Sequence, residues 1–453
     1  MADKKSNIDF ITKGDVSQVI FRLSIPLMIS NLIKTLYTIT DGIYVARISS
    51  EDYAATAFIW PVLFLFIAVG LGVNVASTSL MSQKLGAKKF DQCKNYASHT
   101  IFITLVLGII FSILGYLISP FIVRWMGARG SFAQKSEIFL AINSVGLLFD
   151  TIFSGYQAIL NSQGRTKTMT IISTISSLTN VILDPFFIFD NVLGLPGLNM
   201  GIRGAAIATV ISKLLLVLIS IRVVKKESEI EVTFKDFKFD MAIVINIFSM
   251  AIPACLGSSG EAIGFTILNG FIQSYGTTTL AAFSMGNRLA DLFNQGSMGV
   301  GMALTSIIGQ NYGAGNRERL KQIFRKANII ITFFSLFTAI CLIVFKDPLL
   351  SIFIKDMSDV ELYKQASEYM YFTSVITFFM GYFSAINGFF QGIGKTKFTM
   401  LLSLARLWAL RLPIILILKY TTNLGSTGIW IAMLLSNALT VAFGFYMYLK
   451  KRY

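Results

Sequence analysis

Twelve apolar runs of bilayer length, separated by short polar connections, leave this chain very few ways to fold. They cover roughly 17–46, 52–83, 94–125, 134–161, 168–189, 201–224, 241–274, 278–311, 322–354, 360–391, 398–420 and 425–449. A helix needs about 20 apolar residues to cross hydrocarbon. Lipid cannot satisfy exposed backbone polar groups, so runs of this kind span as helices. Only 14% of the 453 residues are charged, against about 25% in soluble domains. The expected class is therefore all-α integral membrane, with twelve transmembrane helices. An even number of spans puts both termini on one side. Lys4, Lys5, Lys13, Lys84, Lys88, Lys89, Lys225, Lys226, Lys235, Arg317, Arg319, Lys450, Lys451 and Arg452 crowd that side, whereas Lys355 is among the few basic residues opposite. The positive-inside rule makes the crowded side cytoplasmic, in the plasma (inner) membrane of a prokaryote. The net charge of +15 is thus topological, and no nucleic-acid partner is needed to explain it. The first sixteen residues are polar, so the first span itself is expected to direct insertion.

The chain is also duplicated. GVNVASTSLMSQKLGA at 72–87 matches GVGMALTSIIGQNYGA at 299–314, FSGYQAILNSQGRTK at 153–167 matches FSAINGFFQGIGKTK at 383–397, and MGIRGAAIATVIS at 200–212 matches LGSTGIWIAMLLS at 424–436. Pro26 and Pro253 also correspond, each after an isoleucine. Three blocks in one order at nearly constant spacing define two copies of six helices. Six is even, so both copies insert the same way round. Such a parallel repeat, about an axis along the membrane normal, is associated with alternating-access transporters. The expected organisation is a lobe at 1–224, a cytoplasmic linker at 225–240 (KKESEIEVTFKDFKFD), and a second lobe at 241–453: two pseudo-symmetric six-helix bundles.

Charge inside apolar runs is where function is expected, because an ionised acid at the centre of a membrane helix costs about 3 kcal/mol. Asp41 lies well inside the first run, with Tyr37 four residues before it and Lys34 seven before, all on one helical face. Asn180 and Asp184 lie one turn apart in TNVILDPFF. Pro185 removes a backbone N–H there and leaves the carbonyl of Val181 available. In the repeat, Asp41 falls opposite Leu268, Asn180 opposite Trp408, Asp184 opposite Leu412 and Thr209 opposite Met433. On this reading the first half holds two intramembrane carboxylates, an amide and a hydroxyl that the second lacks. Hard oxygen groups of this kind suit a proton or a small hard cation. Local pairing, of Asp41 with Lys34 or between Asp184 and Asn180 at a helix end, is the competing structural explanation.

The second half has charges of its own: Glu261, Arg288, Asp291, Arg406 and Arg411. Arg288 and Asp291 are three apart and placed to neutralise one another. Glu261 has no partner near it in sequence and is the better candidate to meet a cationic cargo or a second proton. With Tyr37, Lys34, Gln157 and Arg288 it makes up the candidate cargo cavity. Several chemistries are missing. Cys93, Cys255, Cys341 and the single His99 have no metal-ligand spacing. GIGKTK at 392–397 has Phe389 where a phosphate loop needs its first glycine. There is no HExxH and no GxSxG. A membrane-embedded enzyme or receptor is accordingly the weakest alternative, and no cofactor is expected.

Taken together, IP at 25–26 with Asn31 and Asp41, QKLGA and QNYGA, NSQGRTK and QGIGKTK, NVILDP at 180–185 and GIRGAAIAT at 201–209 resemble the multidrug and toxic compound extrusion (MATE) transporters over essentially the whole length. The resemblance implies two six-helix lobes around a cavity that opens alternately to either side. It also implies export of amphipathic, often cationic drugs against inward H+ or Na+. A cation site, with Na+ among its possible occupants, is implied at Asp41, Asn180, Asp184 and Thr209, with Tyr37 nearby. Glu261 corresponds to an acid that matters in another branch, and Lys34 departs from the pattern. The chain is expected to work as a monomer. The runner-up is a flippase for lipid-linked saccharides, a related fold that would use Lys34, Arg288, Arg406 and Arg411 to meet pyrophosphate.

Overall fold

The structure is a computed structural model, described here for residues 6–230, 232, 237–354 and 359–450. Lys4, Lys5, Lys235, Lys355, Lys451, Arg452 and part of the 225–240 connection lie outside the described residues. Apart from one two-residue hairpin, β1 (Asn191–Val192) with β2 (Leu195–Pro196), all regular structure among the described residues is helical. A short α1 (Ser6–Lys13) precedes α2 (Val16–Ile48), α3 (Ser50–Gly86), α4 (Phe90–Trp125), α5 (Gly130–Ser162), α6 (Thr166–Ile188) and α7 (Ile202–Glu227). The second half runs through α8 (Met241–Gln273), α9 (Thr277–Gly313), α10 (Arg317–Val344), the short α11 (Lys346–Ser351) and α12 (Val360–Gly392). It ends with α13 (Thr396–Leu404), a π-helical segment Ala405–Arg411, α14 (Leu412–Thr421) and α15 (Ser426–Lys450). The duplication is visible in helix lengths: α2 and α8 each have 33 residues, α3 and α9 each 37, α5 and α12 each 33.

Among the described residues, 11 helices are long and apolar enough to cross a membrane, with α13 to α14 counted as one. The twelfth, α9, has the length but carries Asn287, Arg288, Asp291, Asn294 and Gln295 in its middle. Three expected runs differ in detail. The apolar run at 322–354 breaks after Val344, because Pro348 has no N–H to offer that carbonyl. The run at 398–420 carries the π segment just before Pro413. The N-terminal stretch, read as merely polar, contains α1, whose Ile8 and Ile11 are buried.

Contacts divide the chain into two units. One takes residues up to Ile8 with Ile29–Cys255; the other takes Asp9–Met28 with the residues from Leu256 onward. Two long helices are therefore shared, and each division falls just past a proline: Pro26 in α2 and Pro253 in α8. A helix-interior proline deletes one ladder hydrogen bond, so each shared helix lacks one near its division.

Lipid-embedded helices associate through close packing of small residues more than through a hydrophobic driving force. In the second unit α9 and α12 cross at glycines: a Cβ on Gly388 would lie 2.1 Å from the carbonyl oxygen of Gly301. Near the start of α2, Asp15 accepts the backbone N–H of Gln18 at 3.0 Å and pairs with Lys326 at 3.4 Å. That N–H and the Lys326 ammonium hold the Asp15 carboxyl below its ordinary range. In the first unit the same logic places the site. Gly204 brings the start of α7 against the end of α6, where a Cβ would come within 2.3 Å of the Phe187 carbonyl. The turn before it needs Gly201 at φ +56°, a left-handed backbone that favours glycine.

Candidate functional site

Four helices of the first unit turn polar faces toward one another at three- and four-residue spacing. Lys34, Tyr37 and Asp41 come from α2, Asp150, Ser154 and Gln157 from α5, Ser173, Asn180 and Asp184 from α6, and Thr209 and Lys213 from α7. They surround a cavity of about 290 Å³, lined among others by Lys34, Tyr37, Asp150, Gln157, Asn180 and Thr209. Asp41 and Asp184 are not among the lining residues, but both act on Tyr37, which is.

The amide of Asn180 donates through Nδ2 to Thr209 Oγ1 at 3.4 Å, and Thr209 Oγ1 donates to the Ala205 carbonyl at 3.0 Å. Asp184 is wholly buried and Asn180 nearly so. Both carboxyl oxygens of Asp184 and Oδ1 of Asn180 lack a hydrogen-bond donor of proper geometry. Asp41 is within interaction range of Asp184, and Tyr37 faces Thr209, Asp41 and Asp184. The structure thus gathers Asp41, Asn180, Asp184, Thr209 and Tyr37 in one place. Buried acceptors are ordinarily satisfied, and leaving one bare costs about 1–3 kcal/mol, more when it is charged. Three bare oxygens facing an acid form an arrangement that a proton or a hard cation completes.

The carboxylate count from sequence is corrected here: the first half has three intramembrane acids. Asp150 on α5 pairs with Lys213 on α7, Nζ to Oδ2 at 2.7 Å, both partly exposed to the cavity. Neither was singled out by sequence reasoning, although the signal was present. The repeat that pairs Gly164 with Gly394 sets Asp150 opposite Met380, and the repeat that pairs Gly201 with Gly425 sets Lys213 opposite Asn437. The Lys213 side chain lies across the bare face of Gly146, where a Cβ would be 3.2 Å from its Cδ and 3.4 Å from its Nζ. Lys34 lines the cavity with no ion pair among the described residues; Asp150 is the acid whose field it feels.

Glu261 and Arg288 belong to the second unit and are not among the residues lining this cavity. Glu261 Oε1 accepts from Nη2 of Arg406 at 2.7 Å. The partner comes from the π segment, which also presents Trp408 Nε1 to the Gly260 carbonyl at 2.9 Å and Arg411 Nε to Ser436 Oγ at 3.0 Å. Arg406 also stacks over Phe383, 4.3 Å from the ring centre. Lys34 and Glu261 are counterparts in the repeat, so the two halves carry opposite charges at one position. Arg288 and Asp291 are both exposed, and no ion pair joins them among the described residues, contrary to their expected neutralisation.

Comparison with known proteins locates this arrangement in a family. The MatE family model matches residues 26–186 and 253–417. The chain is 24% identical over 435 residues to the probable multidrug resistance protein YoeA of Bacillus subtilis, covering 94% of this chain and 93% of that one. It is 25% identical over 444 residues to the multidrug export protein MepA of Staphylococcus aureus, covering 96% and 94%. Two solved structures superpose along nearly the full length at 25% identity, each covering 98% of this chain and 97% of the other. One, with a TM-score of 0.91, is an outward-facing conformation of a multidrug resistance MATE family transporter of the MOP superfamily. The other, with a TM-score of 0.90, is a MOP superfamily transporter from Pyrococcus furiosus described as having a binding pocket of reverse polarity.

Proposed function

The chain belongs to the MatE family of multidrug transporters, and from that premise we propose that it is a cation-coupled antiporter exporting amphipathic, cationic small molecules by alternating access. The two sequence copies are residues 1–224 and 241–453, joined by 225–240, although by contacts Asp9–Met28 group with the second copy and the residues up to Cys255 with the first. Both termini are in the cytoplasm of a prokaryotic cell. The coupling ion, H+ or Na+, is held at Asp41, Asn180, Asp184 and Thr209. The observation that carries this reading is the set of bare acceptors: both Asp184 oxygens and Asn180 Oδ1, buried and without donors. A bound cation or proton answers the charge of an ionised carboxylate there. Coupling then requires only that ion and cargo prefer different states, and linkage makes their antagonism mutual. A single chain suffices, since every lining residue of the cavity comes from one unit. The lipid-linked saccharide reading calls for a wide cationic chamber; of the cations it would use, Arg406 is already paired with Glu261.

The test is transport by the purified chain in proteoliposomes, with a gradient of H+ or of Na+ imposed alone. One of the two is expected to drive movement of a lipophilic cation such as tetraphenylphosphonium. Asp41→Asn and Asp184→Asn are each expected to abolish it while the protein remains folded. Undiminished gradient-driven transport by both variants overturns the proposal.

A further inference from the structure

The buried charges of the second unit are both positive. Arg406 and Arg411 are enclosed, Arg411 to 1% exposure, and no acid of that unit is buried among the described residues. Taking a charge out of water is costly unless an opposite charge meets it. Glu261, half-buried, pairs with Arg406 at 2.7 Å. Arg411 donates from Nε to Ser436 Oγ at 3.0 Å and lies over Phe265, 5.9 Å from the ring centre. It has no ion pair among the described residues. On Arg406, Nη2 holds Glu261 and Nη1 meets the Met380 sulfur, while Nε is buried without an acceptor. Two guanidiniums therefore stand against one carboxylate, and one positive charge is left over.

The local backbone brings the two arginines together. They lie five apart in the π segment Ala405–Arg411. In an α-helix, residues five apart point about 140° away from one another; the i→i+5 ladder of a π-helix brings them nearly into line. Both then come down on one face of α8, where Glu261 and Phe265 lie one turn apart. Gly260 and Gly264 leave that face bare, since a Cβ on either would overlap the Leu404 or Leu407 side chain. Proline alone does not produce the wide turn. In the repeat Pro413 matches Pro185, with Leu178 and Leu183 opposite the arginines, and α6 is α-helical from Thr166 to Ile188.

We propose that Arg406 and Arg411 form an anion site in the second unit, taking one singly charged carboxylate between their guanidiniums. A guanidinium fork matches a planar carboxylate bidentately, and a single negative charge is what the count calls for. The rings of Phe383 and Phe265, which the two guanidiniums face, suit an aromatic or aliphatic body on that carboxylate. Glu261, the exposed edge of the cluster, marks where it enters. Phosphate and pyrophosphate carry more charge than the surplus. The site shares no residue with the coupling site of the first unit and does not rest on that reading.

The test uses the full chain in phosphatidylcholine nanodiscs and equilibrium binding of radiolabelled benzoate at neutral pH. Benzyl alcohol, measured alongside, accounts for partition into lipid. Wild type is expected to bind benzoate saturably. Arg411→Lys, which keeps the charge and loses the fork, is expected to bind about tenfold more weakly. Arg411→Met is expected to lose about thirtyfold or more, the usual size of removing one partner from a buried charge pair. Glu261→Gln, which removes the competing carboxylate, is expected to bind about tenfold more tightly. Should the Arg411 variants fail to fold, wild type and Glu261→Gln decide the matter: benzoate is expected to raise the thermal unfolding midpoint of both, and of Glu261→Gln by more. Absence of saturable binding by wild type, undiminished affinity in Arg411→Lys, or no gain in Glu261→Gln overturns the site. Displacement of benzoate by an equal concentration of chloride overturns the carboxylate assignment. Asp184→Asn is expected to bind benzoate as wild type does; loss of binding there would move the anion to the first unit and overturn the site at Arg411.

Discussion

The ring of His99 holds the backbone of Asp240: Nε2 accepts the Asp240 N–H at 2.9 Å, while Nδ1 lies 2.8 Å from the carbonyl of Asn95. An imidazole that donates through Nδ1 and accepts through Nε2 is a single neutral tautomer. Phe237 lies against the same ring at 4.8 Å between centres. The only histidine in the chain thus fastens the end of the interlobe connection to α4, immediately before α8 begins. His99→Phe keeps an aromatic surface against Phe237 and removes the acceptor. A hydrogen bond of ordinary net strength is worth about 1 kcal/mol. Amide exchange at Asp240 is therefore expected to accelerate about fivefold to tenfold, with the interior of α4 unchanged. Equal protection of Asp240 in both proteins would remove His99 from this role.

Reading His99 from sequence gave only a negative result, the lack of metal partners. The limit is physical, because its partner is a backbone N–H 141 residues away. Asp41 and Asp184 were legible because an acid in an apolar run is conspicuous in one dimension. Asp150 and Lys213 are as conspicuous in LLFDTIF and VISKLLL, and the repeat exposes both as departures. What no run of sequence supplies is that α5 and α7 stand side by side, which turns two isolated charges into one pair. The π segment was hidden for a related reason. Pro413 marks a weakened ladder upstream, but whether the helix kinks, breaks or widens depends on what Arg406 and Trp408 meet on α8.

Asp184→Asn separates the chemical role of this acid from its structural one. The carboxyl is wholly buried and both its oxygens lack donors. An amide brings two N–H donors to the same place, and the bare Oδ1 of Asn180 is one turn away to receive one. The variant is expected to lose gradient-driven transport yet gain about 1 kcal/mol in stability, read as a higher midpoint of thermal unfolding in detergent. A lower midpoint would mean that donors already reach Asp184.

Gly204→Ala tests how the site is aligned. Its Cβ would fall 2.3 Å from the Phe187 carbonyl oxygen, a backbone atom that cannot swing aside. Helix α7 must then move away from α6, and the 3.4 Å contact between Asn180 and Thr209 opens. Overpacking of this kind costs about 1–3 kcal/mol. Transport is expected to need a steeper ion gradient, since the cation loses one of its oxygens. An unchanged ion dependence would exclude Thr209 from the site.

The Glu261–Arg406 pair predicts an asymmetry between its two single variants. Arg406 is 2% exposed, whereas Glu261 retains 26% of its side chain in contact with the surroundings. Glu261→Gln strands a buried guanidinium beside the equally buried Arg411, whose Nε already donates to Ser436. Removing one member of a fully buried pair costs about 3–5 kcal/mol, and the partial exposure of Glu261 brings the expected loss to about 2 kcal/mol. Arg406→Met leaves a carboxylate that water or a lipid headgroup can still reach, and the methionine can pack against Phe383 and Met380 where the guanidinium was. Its expected cost is about 1 kcal/mol or less. The double variant, which strands neither charge, should be more stable than Glu261→Gln alone. Thermal unfolding of the three variants checks the order; a more stable Glu261→Gln than Arg406→Met would mean that Arg406 has another counter-charge.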